Sequence, residues 1–552
     1  MVNNLIQSGK SLFLRKQTNI LSAASVIMAA VLMSRILGLL RLRLMTERFF
    51  PDAKWQFDVY IASFRFPDMI FELLVLGALS AAFIPVFSEY LEKNKEEAYR
   101  VVSSVINILS LIFGLAAVVM FIFAPQLSHL IAPSYGPEKI DLLTNLTRLM
   151  LFAQVFFCIS NFLTGIIQSN QRFLIPALAP IVYNIGIILG IIFLVPIMGI
   201  YGASVGVIFG ALLHLLIQLP LVIKLGFVYH WRAWDYHHPG FKEIAKLMAP
   251  RTLALAVSQV ESTVSVFLTT FLIEGSVSLF YFAQTLMNIP IGLFGATIGQ
   301  AALPSLSQSV AKNDLEEYKK NFLFSFFQTL YLVLPLTAIL LILRIPAVRI
   351  AYGVKGFAWS ETLETGKTLA LFSAAIVCQS VIQILIRGFY ALHNTKTPLV
   401  LSLLAVLTNI VLSTIFIFKF KWGIGGLAFS ASIVAVIQTG LLLLFLDRQV
   451  KGFNRQRILS SFGKIGLATA TMGLFLWVPM RFLDRFVLNT QKTGELILLT
   501  IIATLTGTFV YLLLSIILKI EEFQVVVSLV RKMGRWREIL GQSEEIIENT
   551  TN

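Results

Sequence analysis

Apolar runs of about twenty residues recur along this chain, and they restrict what it can fold into. A helix of about 20 residues crosses the hydrocarbon core of a bilayer, and we count about 14 such runs. The 552 residues are 57% hydrophobic and only 13% charged, a balance typical of a polytopic membrane protein. The sequence therefore predicts an all-α membrane protein of about 14 transmembrane helices.

The first six predicted helices and the next six carry the same landmarks in the same order. The matched pairs are 82–88 with 301–307, the loop at Lys93-Asn94 with the loop at Lys312-Asn313, Asn184 with Asn409, and 199–202 with 423–426. An even number of helices in each copy places the two repeats parallel in the membrane. Parallel repeats are typical of two-lobed transporters that bind substrate between the lobes. The last two helices lie outside the repeat.

Basic residues concentrate in alternate loops, and this bias predicts the orientation. With the N-terminus inside, the inner segments hold about 25 Lys and Arg against about 11 outside, so both termini are expected in the cytoplasm. The first apolar run carries three arginines and lacks a cleavage site, which argues against a removable signal peptide. The predicted segments are an amphipathic lead-in (1–20), an N-terminal lobe (21–224), a cytoplasmic loop (225–245), a C-terminal lobe (246–447), the two extra helices (448–520) and a cytoplasmic tail (521–552).

The first predicted helix carries arginines where a bilayer disfavours them. Ser34, Arg35, Gly38 and Arg41 lie inside a run of Ala, Val, Ile, Leu and Met. An arginine at the centre of a membrane helix costs roughly 2.5–3.5 kcal/mol on insertion scales. Such residues face a cavity or a partner, so they indicate a polar pathway through the membrane.

The second predicted helix carries a charged stripe. Asp58, Arg65 and Glu72 are seven residues apart, which places them on one helix face, and Asp68 lies beside them. Pro67 should kink the helix, because its ring clashes with the carbonyl four residues earlier. This pattern suits the wall of a water-filled cavity. The alternative is a self-neutralising ion-pair cluster that only holds helices together.

The second repeat has candidate charges of its own. Arg251 either contributes to the cavity or extends to the inner headgroups. Glu261 is a candidate proton or sodium site, or the partner of an arginine on another helix. Asn409 is a second candidate for ion coupling, although asparagines such as Asn184 and Asn409 more commonly form hydrogen bonds between helices.

The sequence contains no phosphate-binding loop, metal-ligand spacing or nucleophile constellation. It therefore predicts a transporter without enzymatic activity, cofactor or metal, driven by membrane potential, by Na⁺ or H⁺, or by the gradient of its substrate. The net charge of +15 reflects basic loops, so we expect no nucleic-acid partner. Cys158 and Cys378 lie in apolar segments and predict no disulfide framework.

Four motifs together resemble the MurJ (MviN) family, the lipid II flippases of the MOP exporter superfamily. They are Ser34-Arg35-x-Leu37-Gly38-x-x-Arg41, Asp58-x-x-x-x-x-Phe64-Arg65-x-Pro67, Gly77-Ala78-x-x-x-Ala82-Phe83-Ile84-Pro85, and Phe282-Ala283-x-x-Leu286-Met287-x-x-Pro290-x-Gly292-x-Phe294-Gly295 ending in Leu303-Pro304-Ser305-Leu306-Ser307. The resemblance covers about 500 residues and implies that the chain flips lipid II, the undecaprenyl-pyrophosphate-linked peptidoglycan precursor, in the bacterial cytoplasmic membrane. It also implies that arginines of helices one, two and eight contact the anionic head group, and Arg35 and Arg41 match the pair of helix one.

The chain departs from the family pattern at several charged positions. Leu42 stands where the family often has an acidic residue, and Phe71-Glu72 occupies the region of a family basic residue. Gln284-Thr285 replaces an Asp-Arg pair in helix eight, and Asn288 replaces a nearby acid. These departures leave the exact lipid-linked substrate open.

We therefore predict a lipid II flippase working by alternating access. Arginine forks bind phosphate oxygens bidentately, so Arg35, Arg41, Arg65 and Arg251 are the predicted pyrophosphate-binding residues. The predicted supporting or gating residues are Ser34, Gly38, Asp58, Pro67, Asp68 and Glu72. The expected partners are lipid II, the bilayer and the peptidoglycan synthesis machinery. The alternatives are a flippase for another undecaprenyl-linked glycan, a MATE-type cation-coupled exporter and a non-transporting scaffold for wall synthesis.

Overall fold

The computed structural model describes residues 20–77, 83–524 and 527, apart from the side chains of 20–29, 76, 249–251 and 254. Within these residues every regular element is helical and no strand occurs, which confirms the predicted all-α class. Residues 1–19 of the predicted lead-in and most of the predicted tail (521–552) lie outside the described residues. The chain divides into two compact units, Met1–Val277 and Ser278–Asn552.

The first unit contains twelve described α-helices and two π-helical turns. They are α1 (Ile20–Phe49), α2 (Lys54–Ser63), α3 (Arg65–Phe71), π1 (Glu72–Leu76), α4 (Ile84–Lys93), α5 (Lys95–Ile122), α6 (Ala124–Ile131), α7 (Pro137–Ser169), α8 (Leu174–Leu189), π2 (Gly190–Leu194), α9 (Val195–Met198), α10 (Ile200–Leu216), α11 (Leu219–Lys224) and α12 (Pro239–Thr270). The predicted C-terminal lobe starts at 246, so its first helix, α12, packs within the first unit.

The second unit continues with the same alternation of long helices and short breaks. Its elements are α13 (Ser276–Pro290), π3 (Ile291–Ala296), α14 (Thr297–Ala311), α15 (Leu315–Ile342), α16 (Arg344–Tyr352), α17 (Trp359–Leu371), α18 (Ser373–Ala391), α19 (Lys396–Thr414), π4 (Ile415–Lys419), α20 (Gly423–Gln449), α21 (Arg455–Phe486) and α22 (Thr493–Ile517).

Eleven helices in the described residues are long and apolar enough to cross a membrane. They correspond to eleven of the predicted spans. The other three predicted spans, 21–48, 57–91 and 246–273, are the ones that carry Arg35, Arg65 and Glu261. The total of about 14 transmembrane helices stays a prediction.

The repeat is visible in backbone irregularities that recur in both units. Asn184 precedes π2 by the same number of residues as Asn409 precedes π4. Gly199 and Gly423 both adopt a φ of 58°, a conformation that glycine adopts without steric cost. Shared irregularities of this kind support the predicted duplication, because regular helices without such landmarks would not reveal a repeat.

The helices that follow the two matched polar loops begin one residue apart relative to the sequence match. The matched positions were Asn94 and Asn313, but the helix caps are Asn94 for α5 and Asp314 for α15. Asp314 accepts a hydrogen bond from the Glu317 backbone N–H at 2.8 Å, whereas Asn313 lies in the preceding turn with a φ of 56°. The second copy therefore has one more loop residue, because cap chemistry determines where the helix begins.

Each unit has its own buried core. In the first unit, aromatic side chains such as Phe83, Phe113 and Phe162 pack between α5 and α7. In the second unit, Phe322 and Tyr331 of α15 belong to the core that also contains α18 and α21 residues.

Candidate functional site

The second predicted span is interrupted where the proline predicts. Helix α2 ends at Ser63 and α3 begins at Arg65, so the helix is broken at Phe64. Pro67 follows within the first turn of α3. It has no backbone N–H to donate to the Ser63 carbonyl, and its ring clashes with that carbonyl. The π-helical turn π1 then begins at Glu72. Turns of this kind are frequent at functional sites.

Charged side chains from two spans act on one carboxylate in this region. Arg65, Glu72 and Arg41 all interact electrostatically with Asp68. The amide Nε2 of Gln154 on α7 donates a hydrogen bond to Asp68 Oδ1 at 2.6 Å. The structure thus brings Arg41, Arg65, Asp68 and Glu72 into one cluster, hereafter the α3 charge cluster.

The Glu72 carboxylate of this cluster has a partner on α12. Gln259, which is only 8% exposed, donates a hydrogen bond from Nε2 to Glu72 Oε2. About two turns earlier on α12, the Thr252 hydroxyl donates a hydrogen bond to the Leu73 carbonyl at 3.1 Å. A Cβ on Gly77 would lie 2.5 Å from Thr252 Oγ1, so Gly77 allows α12 to approach closely. Helix α12 is therefore held to π1 by polar contacts as well as packing.

Asp58 has a hydrogen-bond partner outside the α3 charge cluster. Its carboxylate is 3% exposed and accepts a hydrogen bond from the Gly275 backbone N–H at 2.7 Å. Gly275 has a φ of 91°, so Asp58 stabilises the turn after α12. The seven-residue spacing correctly placed Arg65 near Glu72, but it did not disclose this distant partner of Asp58.

The first span places Arg35 at an open cavity of about 400 Å³. Its Nε is buried and has no hydrogen-bond partner among the described residues. The neighbouring Ser34 accepts a hydrogen bond from Asn184 Nδ2 at 3.2 Å, and Gly38 lies beside Asn184 Oδ1. Asn184 thus bonds between α1 and α8, while the arginine retains donor capacity.

The remaining predicted residues are distributed over both units. Arg251 lies on α12, and its side chain is outside the part of the structure described. Glu261 is half-buried on the same helix. Asn409 accepts a hydrogen bond from the Ser430 hydroxyl at 2.7 Å, which joins α19 to α20. Its role in ion coupling stays a prediction.

Sequence reasoning missed two residues that the structure connects with this region, Gln154 and Gln259, and the partly buried Arg172. The two glutamines are single amides within apolar runs, and such amides commonly form hydrogen bonds between helices. The sequence therefore indicated an interhelical hydrogen bond for each glutamine, but it did not indicate the partner residue. Arg172 lies between α7 and α8, and its Nε and Nη1 are buried without a partner among the described residues.

Repeated helices that carry buried charged and amide groups define a membrane transporter, and a solved structure shares the fold. A multidrug resistance MATE family transporter of the MOP superfamily, in its inward-facing conformation, matches with a TM-score of 0.64 at 13% identity. The match covers 78% of this chain and 98% of that one. At this identity the likeness shows the fold alone.

The family is shown by sequence. The sequence model of lipid II flippase MurJ matches residues 52–497, so the chain belongs to the MurJ lipid II flippase family. A probable lipid II flippase MurJ of Buchnera aphidicola is 29% identical over 86% of this chain and 92% of its own length. One of Thermotoga maritima is 29% identical over 89% and 95%. A structure of lipid II flippase MurJ in an inward closed conformation matches with a TM-score of 0.72 at 27% identity, covering 88% and 98%.

Proposed function

We propose that this chain flips lipid II from the inner to the outer leaflet of the bacterial cytoplasmic membrane by alternating access. The proposal is supported by family membership and carried by one observation. Arg35 and Arg65 each have a buried Nε without a hydrogen-bond partner among the described residues. A desolvated donor of this kind is costly unless something binds it, and a pyrophosphate oxygen is a suitable acceptor.

The arginines are assigned distinct parts of this task. Arg35, Arg41 and Arg65 hold the pyrophosphate, and Arg251 adds a fourth guanidinium from α12. Asp68 and Glu72 orient Arg65 through the α3 charge cluster and limit its net charge. Arginine suits this role better than lysine, because its planar fork binds two phosphate oxygens at once.

The remaining predicted groups support this transport. Ser34, Gly38, Asp58 and Pro67 shape the two spans that carry the arginines. The flipping cycle performs no covalent step and needs no cofactor. Membrane potential, Na⁺ or H⁺ drives it, and Glu261 and Asn409 are the candidate ion-coupling residues. Both termini lie in the cytoplasm, and the product supplies the peptidoglycan synthesis machinery.

The chain's departures at Leu42, Gln284 and Thr285 favour one alternative substrate, another undecaprenyl-linked glycan of the O-antigen or capsule type. Such a lipid presents the same pyrophosphate to the arginines. The sugars of such a lipid differ from those of lipid II. The family charges that this chain lacks would then reflect a different sugar head group. A MATE-like exporter fits less well, because cationic drugs would be repelled by the arginines.

Complementation of a bacterium depleted of its own lipid II flippase tests the proposal. The wild-type chain is compared with Arg35→Ala, Arg41→Ala and the matched control Arg485→Ala, whose arginine is exposed at the end of α21. Insertion of each variant is verified by membrane fractionation. Rescue by the wild type and the control, but by neither span-one variant, is the expected result.

Two other results would revise the proposal. Rescue by all four chains would retain lipid II as substrate and overturn the assignment of Arg35 and Arg41. Failure of a well-inserted wild type would overturn lipid II as substrate, and the same test with an O-antigen or capsule flippase mutant would then follow.

A further inference from the structure

The loop between α11 and α12 (residues 225–238, hereafter the α11–α12 loop) packs along the spanning helix α5, within the first unit. Its contacts advance along α5 and then return: the Phe227 ring packs against Tyr99, the His230 N–H donates to Ser103 Oγ at 3.0 Å, Asn107 bonds to residues 229–233, the Asp235 N–H donates to Ser104 Oγ at 3.4 Å, and the His238 imidazole lies 3.4 Å from the Glu97 carboxylate. The loop therefore follows α5 and doubles back, with its turn opposite Asn107.

The turn of this loop lies at the depth of the bilayer boundary. Asn107 follows Lys95, the first residue of α5, by 12 residues, which is about 18 Å along the helix axis. About 20 helical residues cross the hydrocarbon core, and counting them back from Ile122, the last residue of α5, places the inner boundary near Ser103. Asn107 then lies about 6 Å inside that boundary. We therefore expect the turn opposite Asn107 to lie among lipids, although the sequence predicts a cytoplasmic loop.

The backbone of the turn is hydrogen-bonded as a lipid environment requires. Asn107, which is 6% exposed, donates from Nδ2 to the Ala233 carbonyl at 2.7 Å and to those of His230 and Trp231 at 3.2 and 3.3 Å. Its Oδ1 accepts a hydrogen bond from the Tyr229 hydroxyl. Irregular backbone at membrane depth is tolerated only where other groups satisfy its N–H and C=O groups. One buried asparagine provides this for three carbonyls of the turn.

The side chains that the turn leaves uncovered are aromatic. Tyr229, Trp231 and Trp234 are 51%, 65% and 48% exposed. Such residues are enriched at membrane–water interfaces, where the ring lies among apolar groups and its polar atom contacts water or headgroups. The guanidinium of Arg232 lies 4.4 Å from the centre of a Trp231 ring. The exposed face of the turn thus combines aromatic area with a cation.

The charges of the loop suit a surface rich in phosphate. Its charged side chains are Arg232 and Asp235. The Asp235 carboxylate accepts hydrogen bonds from the backbone N–H groups of His237 and His238, at 3.0 and 3.1 Å, so this acid is engaged within the loop. Arg232 is exposed, and lipid phosphates are strong acceptors for a guanidinium. Anionic headgroups of the inner leaflet would add a favourable electrostatic attraction.

We propose that the α11–α12 loop is a re-entrant anchor in the inner leaflet of the membrane. Trp231 and Trp234 lie at the boundary between headgroups and acyl chains, and Arg232 binds lipid phosphates. Since His238 Nδ1 accepts the Gly240 N–H at 3.1 Å and thereby caps α12, the anchor fixes the inner end of that helix. The assignment depends on a membrane-spanning α5 and is independent of which lipid the chain flips.

Spin labels on the full-length chain in liposomes test this anchor. In a background with Cys158→Ser and Cys378→Ser, Trp231→Cys and Trp234→Cys are labelled singly with a nitroxide, so that each variant retains the other tryptophan. The liposomes contain phosphatidylethanolamine and phosphatidylglycerol. Power saturation compares collisions with oxygen, which concentrates in lipid, with collisions with a water-soluble nickel chelate.

Two sites on α5 calibrate the measurement. Leu115→Cys, at a position 59% exposed near the middle of the span, gives the value for lipid, and Lys95→Cys, at the exposed start of α5, gives the value for water. We expect the ratio of oxygen to nickel accessibility at positions 231 and 234 to exceed that at 95 and to approach that at 115. Ratios equal to that of position 95 would place the loop in water and overturn the anchor.

The role of Asn107 is tested in the chain labelled at position 231. Asn107→Ala removes the donor to three carbonyls, so the label should move toward the value for water. The matched control is Asn161→Ala, whose asparagine bonds within its own helix and should leave the label in place. If thermal unfolding shows that Asn107→Ala does not fold, Ser103→Ala with Ser104→Ala removes two backbone acceptors instead, with the same expected shift. A label that stays in lipid would overturn the assignment of these α5 side chains as the groups that hold the turn.

The contact between Arg232 and phosphate is tested in the chain labelled at position 234. Arg232→Glu reverses the charge and should move the label toward water in liposomes that contain phosphatidylglycerol. Arg232→Lys keeps the charge and should change the accessibility less. The shift caused by Arg232→Glu should be smaller in liposomes of phosphatidylcholine alone. Equal accessibility for the wild-type residue, Arg232→Lys and Arg232→Glu would exclude Arg232 as a phosphate-binding residue.

Discussion

Gln259 of α12 donates a hydrogen bond to the carboxylate of Glu72 at the start of π1. The two residues are far apart in sequence, and both lie within the first compact unit. The contact satisfies one acid of the α3 charge cluster from a helix that the repeat assigns to the other lobe. A conformational cycle that moves α12 must break this bond or carry π1 with it.

Removal of the Gln259 amide should destabilise the protein. Gln259→Ala leaves the half-buried Glu72 carboxylate without its donor, and bonds to charged groups contribute about 1.5–3 kcal/mol. We expect a loss near the lower end of that range, seen as a lower thermal unfolding temperature in detergent. Glu72→Gln keeps an amide acceptor and should lose less. Equal stability of Gln259→Ala and wild type would show that the bond contributes nothing.

A disulfide between π1 and α12 should trap one conformation. An ideal Cβ on Gly77 lies 3.6 Å from Thr252 Cβ, within the range of about 3.5–4.5 Å that disulfides require. In a background with Cys158→Ser and Cys378→Ser, Gly77→Cys with Thr252→Cys should cross-link on oxidation. If α12 must part from π1, oxidation should abolish flipping and reductant should restore it. Each single cysteine variant is the control, and full activity of the oxidised form would exclude this motion.

Arg65 should be sensitive to the type of cation. Arg65→Ala removes the positive charge that faces Asp68 and Glu72, so we expect loss of complementation and reduced insertion. Arg65→Lys should restore insertion but only part of the transport, because lysine lacks the bidentate fork. Adding Asp68→Asn to Arg65→Ala should recover insertion without recovering transport. Full transport by Arg65→Lys would argue for a charge-balancing role only.

Glu522, after the last described spanning helix, should make stability depend on pH. Burial raises the pKa of this carboxyl, with Arg457 and Lys464 opposing the effect. A raised pKa in the folded state means that the folded protein holds the proton more tightly than the unfolded chain. Stability should therefore fall as pH rises above the ordinary glutamate range. Glu522→Gln should be more stable than wild type at neutral pH and show a weaker dependence in thermal unfolding; an identical pH profile for both would contradict the assignment.

The sequence by itself determined the helical class, eleven of the spans and the break before Pro67. Bilayer crossing depends on a local run of apolar residues, and a proline acts on the carbonyl four residues before it. The repeat was also visible in the sequence, because Gly199 and Gly423, which adopt the same backbone conformation, occupy matching positions. These features are local, so a single chain reveals them.

The tertiary structure alone decided which partners the polar groups obtain. Asp58 belongs by spacing to a stripe with Arg65, yet it binds the Gly275 backbone. Gln154 and Gln259 join the α3 charge cluster, and two guanidinium nitrogens of Arg172 are buried without a partner among the described residues. A buried hydrogen-bonding group takes whichever partner helix packing brings within about 3 Å. That choice depends on contacts between distant parts of the chain, which periodicity does not encode.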